Sequence, residues 1–199
     1  MGNTINLLEV KRQTLHVLVG MLTLFLLIIG QLTPMILFWL IVVSYAFSIL
    51  SKRYDVPVVH WFLKHFEREK DMQHFPGKGF VSFFVGVLLT VKLFEPQIAY
   101  ASIMVVTLGD TVSHLIGTHF GRIKHPLNGL KSLEGNLIGG LAGFIGAIFF
   151  IEPLYAAIGS FGAMTIEAVQ IRMNRALVDD NIIVPLVCGA LILLARAYL

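Results

Sequence analysis

Apolar residues run for close to twenty positions at a time along this chain, at about 14–33, 34–51, 79–95, 97–119, 136–152, 154–170 and 182–199, with the polar residues gathered between the runs. A helix needs about 20 mostly apolar residues to cross a bilayer, because hydrocarbon offers backbone groups no other partners. The pattern therefore predicts an all-α polytopic bundle of about seven transmembrane helices. Gly159, Gly162 and Glu167 make the sixth run the weakest. The first is too long for a signal-peptide core and leads directly into the second, so it counts as a helix. Residues 57–71, PVVHWFLKHFEREKD, place Val58, Trp61, Phe62, His65 and Phe66 on one helical side and most charges on the other. That amphipathic stretch predicts one further helix lying along the membrane interface.

If the seven spans alternate, thirteen of the fifteen lysines and arginines fall on one face, all except Lys92 and Arg196. Cytoplasmic loops concentrate such residues, so the N-terminus and this face are expected to be cytoplasmic. Connections on the other side are short, Gln31-Leu32-Thr33-Pro34, Glu95-Pro96 and Glu152-Pro153, and suit tight turning better than chemistry. The 199 residues, 56% hydrophobic, leave no room for a separate soluble domain, so residues 1–199 form one membrane domain. A formal charge of +3 follows from the basic loops without nucleic acid as a partner. Cys188 is the only cysteine, which excludes an internal disulfide and a cysteine metal cluster.

Asp110 stands inside the fourth run, in LGDTVSHLIGTHFGR. A carboxylate at membrane depth costs several kcal/mol unless it is paired, hydrated or bound to metal, which makes it the leading catalytic and metal candidate. Ser113, His114 and Gly117 share its helical face, and His114 is placed to polarise a site. The connection GRIKHPLNGLKSLEGN combines cations, hydroxyl, carboxylate and glycines, as a phosphate site would. Lys131 offers charge, Ser132 an O–H donor, Glu134 a metal ligand or catalytic carboxylate, and Gly135 a close backbone approach at a helix start. It is not a Walker A loop, since GxxxxGK[ST] is absent. Glu167, Asp179, Asp180 and Asn181 flank the sixth connection, and hard oxygen ligands of this kind favour magnesium held together with nucleotide phosphates. Near the start, Arg12 and His16 share a helical face that suits either the site or topology anchoring. The histidines do not form a zinc pattern.

Four stretches, EVKRQTLHVLVG, EREKDMQHFPGKGFVSFFVG, GDTVSHLIGTHFGRIKHPLNGLKSLEGN, and Glu167 followed by DDNIIVP, resemble in order the membrane kinases that include dolichol kinase, phytol kinase and CTP-dependent diacylglycerol kinases. The resemblance implies a CTP-dependent kinase with Mg2+ that phosphorylates a membrane lipid alcohol. Dolichol, polyprenol, phytol or geranylgeraniol is favoured over diacylglycerol. It carries the functional role to Asp110, Lys131, Ser132, Glu134, Gly135, Glu167, Asp180 and Asn181. Arg12, Gly117, Asn128 and Asn136 complete the expected nucleotide contacts. Phosphatidate cytidylyltransferases are similar in the middle stretch but carry a PGHGG ending that this chain lacks, so a CDP-lipid-forming enzyme is the first alternative. A transporter or proton relay built on Asp110 and Glu167 is the second, and it leaves the KSLEG turn unexplained.

Overall fold

The chain folds around one long central helix, and the other described helices except the second are seated against it. In the computed structural model, residues 7–51, 61, 65–67, 72, 75–126, 128–169, 172–173 and 176–199 are described, by backbone alone at 128–130, 172–173 and 176–177. Seven helices among them follow the seven apolar runs: α1 (Leu7–Ile28), α2 (Pro34–Ser51), α3 (Lys78–Leu93), α4 (Pro96–Phe120), α5 (Leu133–Ala147), α6 (Pro153–Glu167) and α7 (Asp180–Tyr198). Proline opens α2, α4 and α6, where its missing N–H breaks no helical bond and its fixed φ suits the first turn. Gly30, at φ 72°, turns the chain between α1 and α2 in the left-handed region that glycine adopts freely.

Four helices, α1, α2, α4 and α7, are long and apolar enough to cross a membrane. The others, α3, α5 and α6, have 16, 15 and 15 residues. They rise only about 22–24 Å, against roughly 30 Å of hydrocarbon. Two antiparallel ribbons, which the apolar pattern does not predict, occupy the connections on one end. They are β1 (Lys124–His125) with β2 (Asn128–Ser132), and β3 (Arg172–Met173) with β4 (Ala176–Leu177). Most of the predicted interfacial helix at 57–71 lies outside the described residues, as do Lys52, Arg53, Lys64, Arg68, Lys70 and Arg175.

Burial ranks the helices. In its most apolar window α4 is 67% buried, whereas α1 and α2 are 28% and 11% buried, so α4 is the axis and the first two helices lie at the periphery. Small residues bring α5 onto α4. A Cβ on Gly139 would stand 2.6 Å from Gly109 O and Ser113 Cβ, and one on Gly135 would stand 2.6 Å from Ser113 O. Such a stripe lets backbones approach where apolar lipid supplies no hydrophobic drive between helices. Between Val105 and Asp110, α4 winds as a π-helix. There α1 leans on it: Gly20 leaves room for the Thr107 side chain, and His16 Nε2 makes a long contact of 3.4 Å with Val106 O. At the far end an ion pair joins Arg196 of α7 to Glu95 before α4, with the guanidinium 5.8 Å from the Tyr155 ring centre.

Candidate active site

Three carboxylates from three helices converge at the ribbon end of the bundle. Asp110 closes the π segment, Glu167 ends α6 and Asp180 begins α7, and one oxygen from each lies within 4.8 Å of the other two. Asp110 lies about 15 Å along the axis from the end of α4 at Phe120, whereas the Asp180 side chain is 42% exposed and opens the cluster to the cleft. Lys131, near the end of β2, reaches into it. Its Nζ donates to Glu167 Oε1 and, at 3.1 Å, to Asp180 Oδ2. Three negative charges against one positive leave the group formally at −2, which one divalent cation would neutralise.

Two orphaned atoms point the same way. Glu167 is buried with no hydrogen-bond partner at Oε2 among the described residues, and the buried Oδ1 of Asn181 likewise has none. An unsatisfied buried oxygen costs about 1–3 kcal/mol and more if charged, so these atoms suit a cation better than an apolar wall. Burial opposes the Lys131 ammonium, yet the charges of Glu167 and Asp180 outweigh it and hold the group above the ordinary lysine range. Asp179 stands apart from the trio: its Oδ1 caps α7 by accepting from Asn181 N at 3.2 Å, and its Oδ2 pairs with Lys78 Nζ at 3.3 Å.

The opposite wall comes from α1 and contains a residue that the sequence pattern did not single out. Glu9 is buried, and its Oε1 lies 2.7 Å from Arg12 Nη2, 3.2 Å from Gln13 Nε2 and 2.8 Å from His114 Nε2. One carboxylate thus holds Arg12 and ties α1 to α4 one turn beyond Asp110. Glu9, Gln13, Gly20 and Thr23 are the polar and small residues among those that α1 buries, and their helical spacing is the signal that marks this face. Between the walls lies a cleft of about 510 Å³ that Arg12, His16, Asp110, His114, Lys131 and Asp180 help line. A hollow of about 110 Å³ adjoins it, bounded by Ser113, Gly117 and Ser132 and sharing His114, Lys131 and Glu167.

Other expected site residues serve the frame of the turn. Ser132 caps α5, its Oγ accepting from Gly135 N at 3.0 Å while its own O–H stays able to donate. Gly135 is spent on the close approach of α5 to α4. Glu134 lies outside the carboxylate trio: Oε1 accepts from Arg122 N at 3.1 Å and Ile123 N at 3.0 Å, which staples the residues just before β1 to α5. Buried Asn136 donates from Nδ2 to Met164 O, tying α5 to α6. Asn128 falls in β2, described by its backbone alone.

The uncharacterized protein MJ1137 of Methanocaldococcus jannaschii is 30% identical to this chain over 188 residues, which span 92% of each of the two proteins. No family model matches the chain, and no solved structure does.

Proposed function

The chain belongs to the family of the Methanocaldococcus jannaschii protein, an uncharacterized one, so its chemistry has to be read from its own site; we propose that it is a CTP-dependent kinase of membrane lipid alcohols. The acceptor is a dolichol-, polyprenol-, phytol- or geranylgeraniol-type alcohol, with diacylglycerol the less favoured choice. All seven helices cross the bilayer, the short α3, α5 and α6 being accommodated by local thinning. Both N-terminus and site face the cytoplasm, where the basic residues concentrate.

The observation that carries this reading is the meeting of Asp110, Glu167 and Asp180 around Lys131, beside a cleft large enough for a nucleotide's phosphates. Asp110, Glu167, Asp180 and the Asn181 amide oxygen are a fitting donor set for magnesium, which when bound neutralises and orients the terminal phosphates. Lys131 offsets phosphate charge from the ribbon side, and Arg12, held by Glu9, does so from α1. Ser132 donates its O–H to a phosphate oxygen, and the N-terminus of α5 favours the same anion. The lipid oxygen forms a bond to the terminal phosphorus as the bond to the leaving CDP oxygen breaks. The hydroxyl proton passes to a carboxylate of the trio or to His114. Positioning and charge neutralisation supply most of the rate, as is general for phosphoryl transfer.

Purified protein with magnesium, CTP or ATP labelled in the terminal or the first phosphate, and a panel of polyprenol, phytol, geranylgeraniol and diacylglycerol tests the proposal. Terminal label extracted with lipid is the expected result. First-phosphate label in a CDP-lipid would make the protein a cytidylyltransferase, and ion flux into liposomes without either product would make it a transporter.

A further inference from the structure

We propose that the hydrocarbon chain of the acceptor lies in a wedge between α1 and α3 that opens to the bilayer, and that Leu15, Val19, Phe80 and Phe83 select acceptors by chain length. This rests on the lipid-kinase reading and adds to it a binding site outside the charged cluster. At the far end α1 and α2 are joined by a short turn, in which the N–H groups of Gln31 and Leu32 both return to Leu26 O at 2.9 and 3.0 Å. From there the two helices seat on different neighbours, α1 on α4 and α2 on α3. The cleft lies at the opposite end of α1 from that turn, between α1 and α3.

The wall between them is apolar. Leu15 and Val19 from α1 and Phe80 and Phe83 from α3 line the same cleft as Asp110 and Lys131, so polar floor and apolar side are continuous. Phe83 is buried, its ring edge-on to His16 at 5.3 Å, while Phe80 is 38% exposed and rests on Phe84 at 4.7 Å. Farther along α1, Leu18 and Leu22 are exposed and continue the apolar surface. A cleft of about 510 Å³ cannot enclose both a nucleotide and a long isoprenoid chain. The chain has to run out along the wedge while its hydroxyl stays at the carboxylates. A water-soluble acceptor would gain nothing from such a wall.

Val19→Trp and Phe80→Trp, in lipid nanodiscs with magnesium and labelled CTP, narrow the wedge from either side. The measurement is the ratio of kcat/KM for geranylgeraniol to that for the short, water-soluble prenol. It is expected to fall about tenfold or more in each variant, since a pocket wall discriminates strongly against a chain it can no longer admit. An unchanged ratio in both folded variants would overturn the proposal. Wild-type protein with a diazirine-bearing long-chain alcohol gives a second measurement that needs neither substitution nor turnover. Label at Leu15–Val19 and Phe80–Phe83 supports the wedge, and label confined to the outer faces of α5 and α6 refutes it. Wild-type protein that phosphorylates neither alcohol would remove the kinase reading, and the crosslink would still decide where the chain binds.

Discussion

Lys131→Met separates the charge arrangement of the site from its fold. The substitution leaves Glu167, whose side chain is 3% exposed, beside Asp110 and Asp180 with its cation removed. Breaking one half of a buried ion pair costs about 3–5 kcal/mol, because the remaining charge stays desolvated. The Lys131 side chain is 26% exposed, so water recovers part of that and the lower end applies, about 3 kcal/mol. For a protein of this size each kcal/mol moves the unfolding midpoint by about 2–4 °C, so a fall of about 6–12 °C is expected. Adding Glu167→Gln removes the stranded charge and should restore most of the loss. Magnesium should raise the midpoint of Lys131→Met more than that of the wild type, since the ammonium no longer competes for the carboxylates. Saturation at 100 times the Kd corresponds to about 2.7 kcal/mol.

Cys188, the sole cysteine and fully buried in α7, makes a convenient reporter, because a thiol-reactive dye labels it only when the bundle opens. The Lys131 pKa is raised in the folded protein, so its contribution is complete below the ordinary lysine value and is lost only as pH climbs through the higher folded one. A Lys131→Met midpoint equal to that of the wild type, with the same magnesium response, would refute the idea that this lysine balances a cation-binding trio.

Asp110→Asn should lower lipid phosphorylation by at least about 100-fold while the detergent-solubilised protein still elutes as a folded species, read by size exclusion and label in the lipid extract. Glu9→Gln should raise the KM for CTP by about tenfold with kcat little changed, because Arg12 loses a charged anchor worth about 1.5–3 kcal/mol. Equal losses in kcat and kcat/KM would assign Glu9 to the chemistry instead. Gly139→Ala, whose Cβ would stand 2.6 Å from Gly109 O, should destabilise the protein by about 1–3 kcal/mol, seen as earlier labelling of Cys188.

The bilayer explains why so much of the fold is legible in the residue order. Each apolar run has one economical conformation in hydrocarbon, and Pro34, Pro96 and Pro153 mark where three helices begin. Asp110 and Glu167 stand out for the converse reason: a carboxylate placed in apolar sequence needs a partner, and here they are partners in one cluster. Glu9 escapes notice because it precedes the first apolar run beside Lys11 and Arg12, where an acid ordinarily caps a helix in water. Its spacing with Gln13, Gly20 and Thr23 is the trace it leaves in the residue order, and burial against α4 shows what that face meets. The turn holding Lys131 is likewise ambiguous. Glu134 and Ser132 have the chemistry of ligands, and which backbone N–H groups claim them depends on a ribbon two residues wide that carries no periodic signal. Asn136, expected at the nucleotide, faces a neighbouring helix because the two glycines that follow, Gly139 and Gly140, draw α5 into close packing.

The wider winding from Val105 to Asp110 gives α4 one more residue than a regular helix would need to cover that distance. Removing one position from this stretch would let the coil close to a regular helix while the turns on either side kept their facing. The aspartate sits at the edge of that slack, so the loss would re-aim its side chain and spare the rest of the helix. A residue added to the regular turns of α4 finds no such slack and would swing everything beyond it through roughly 100°.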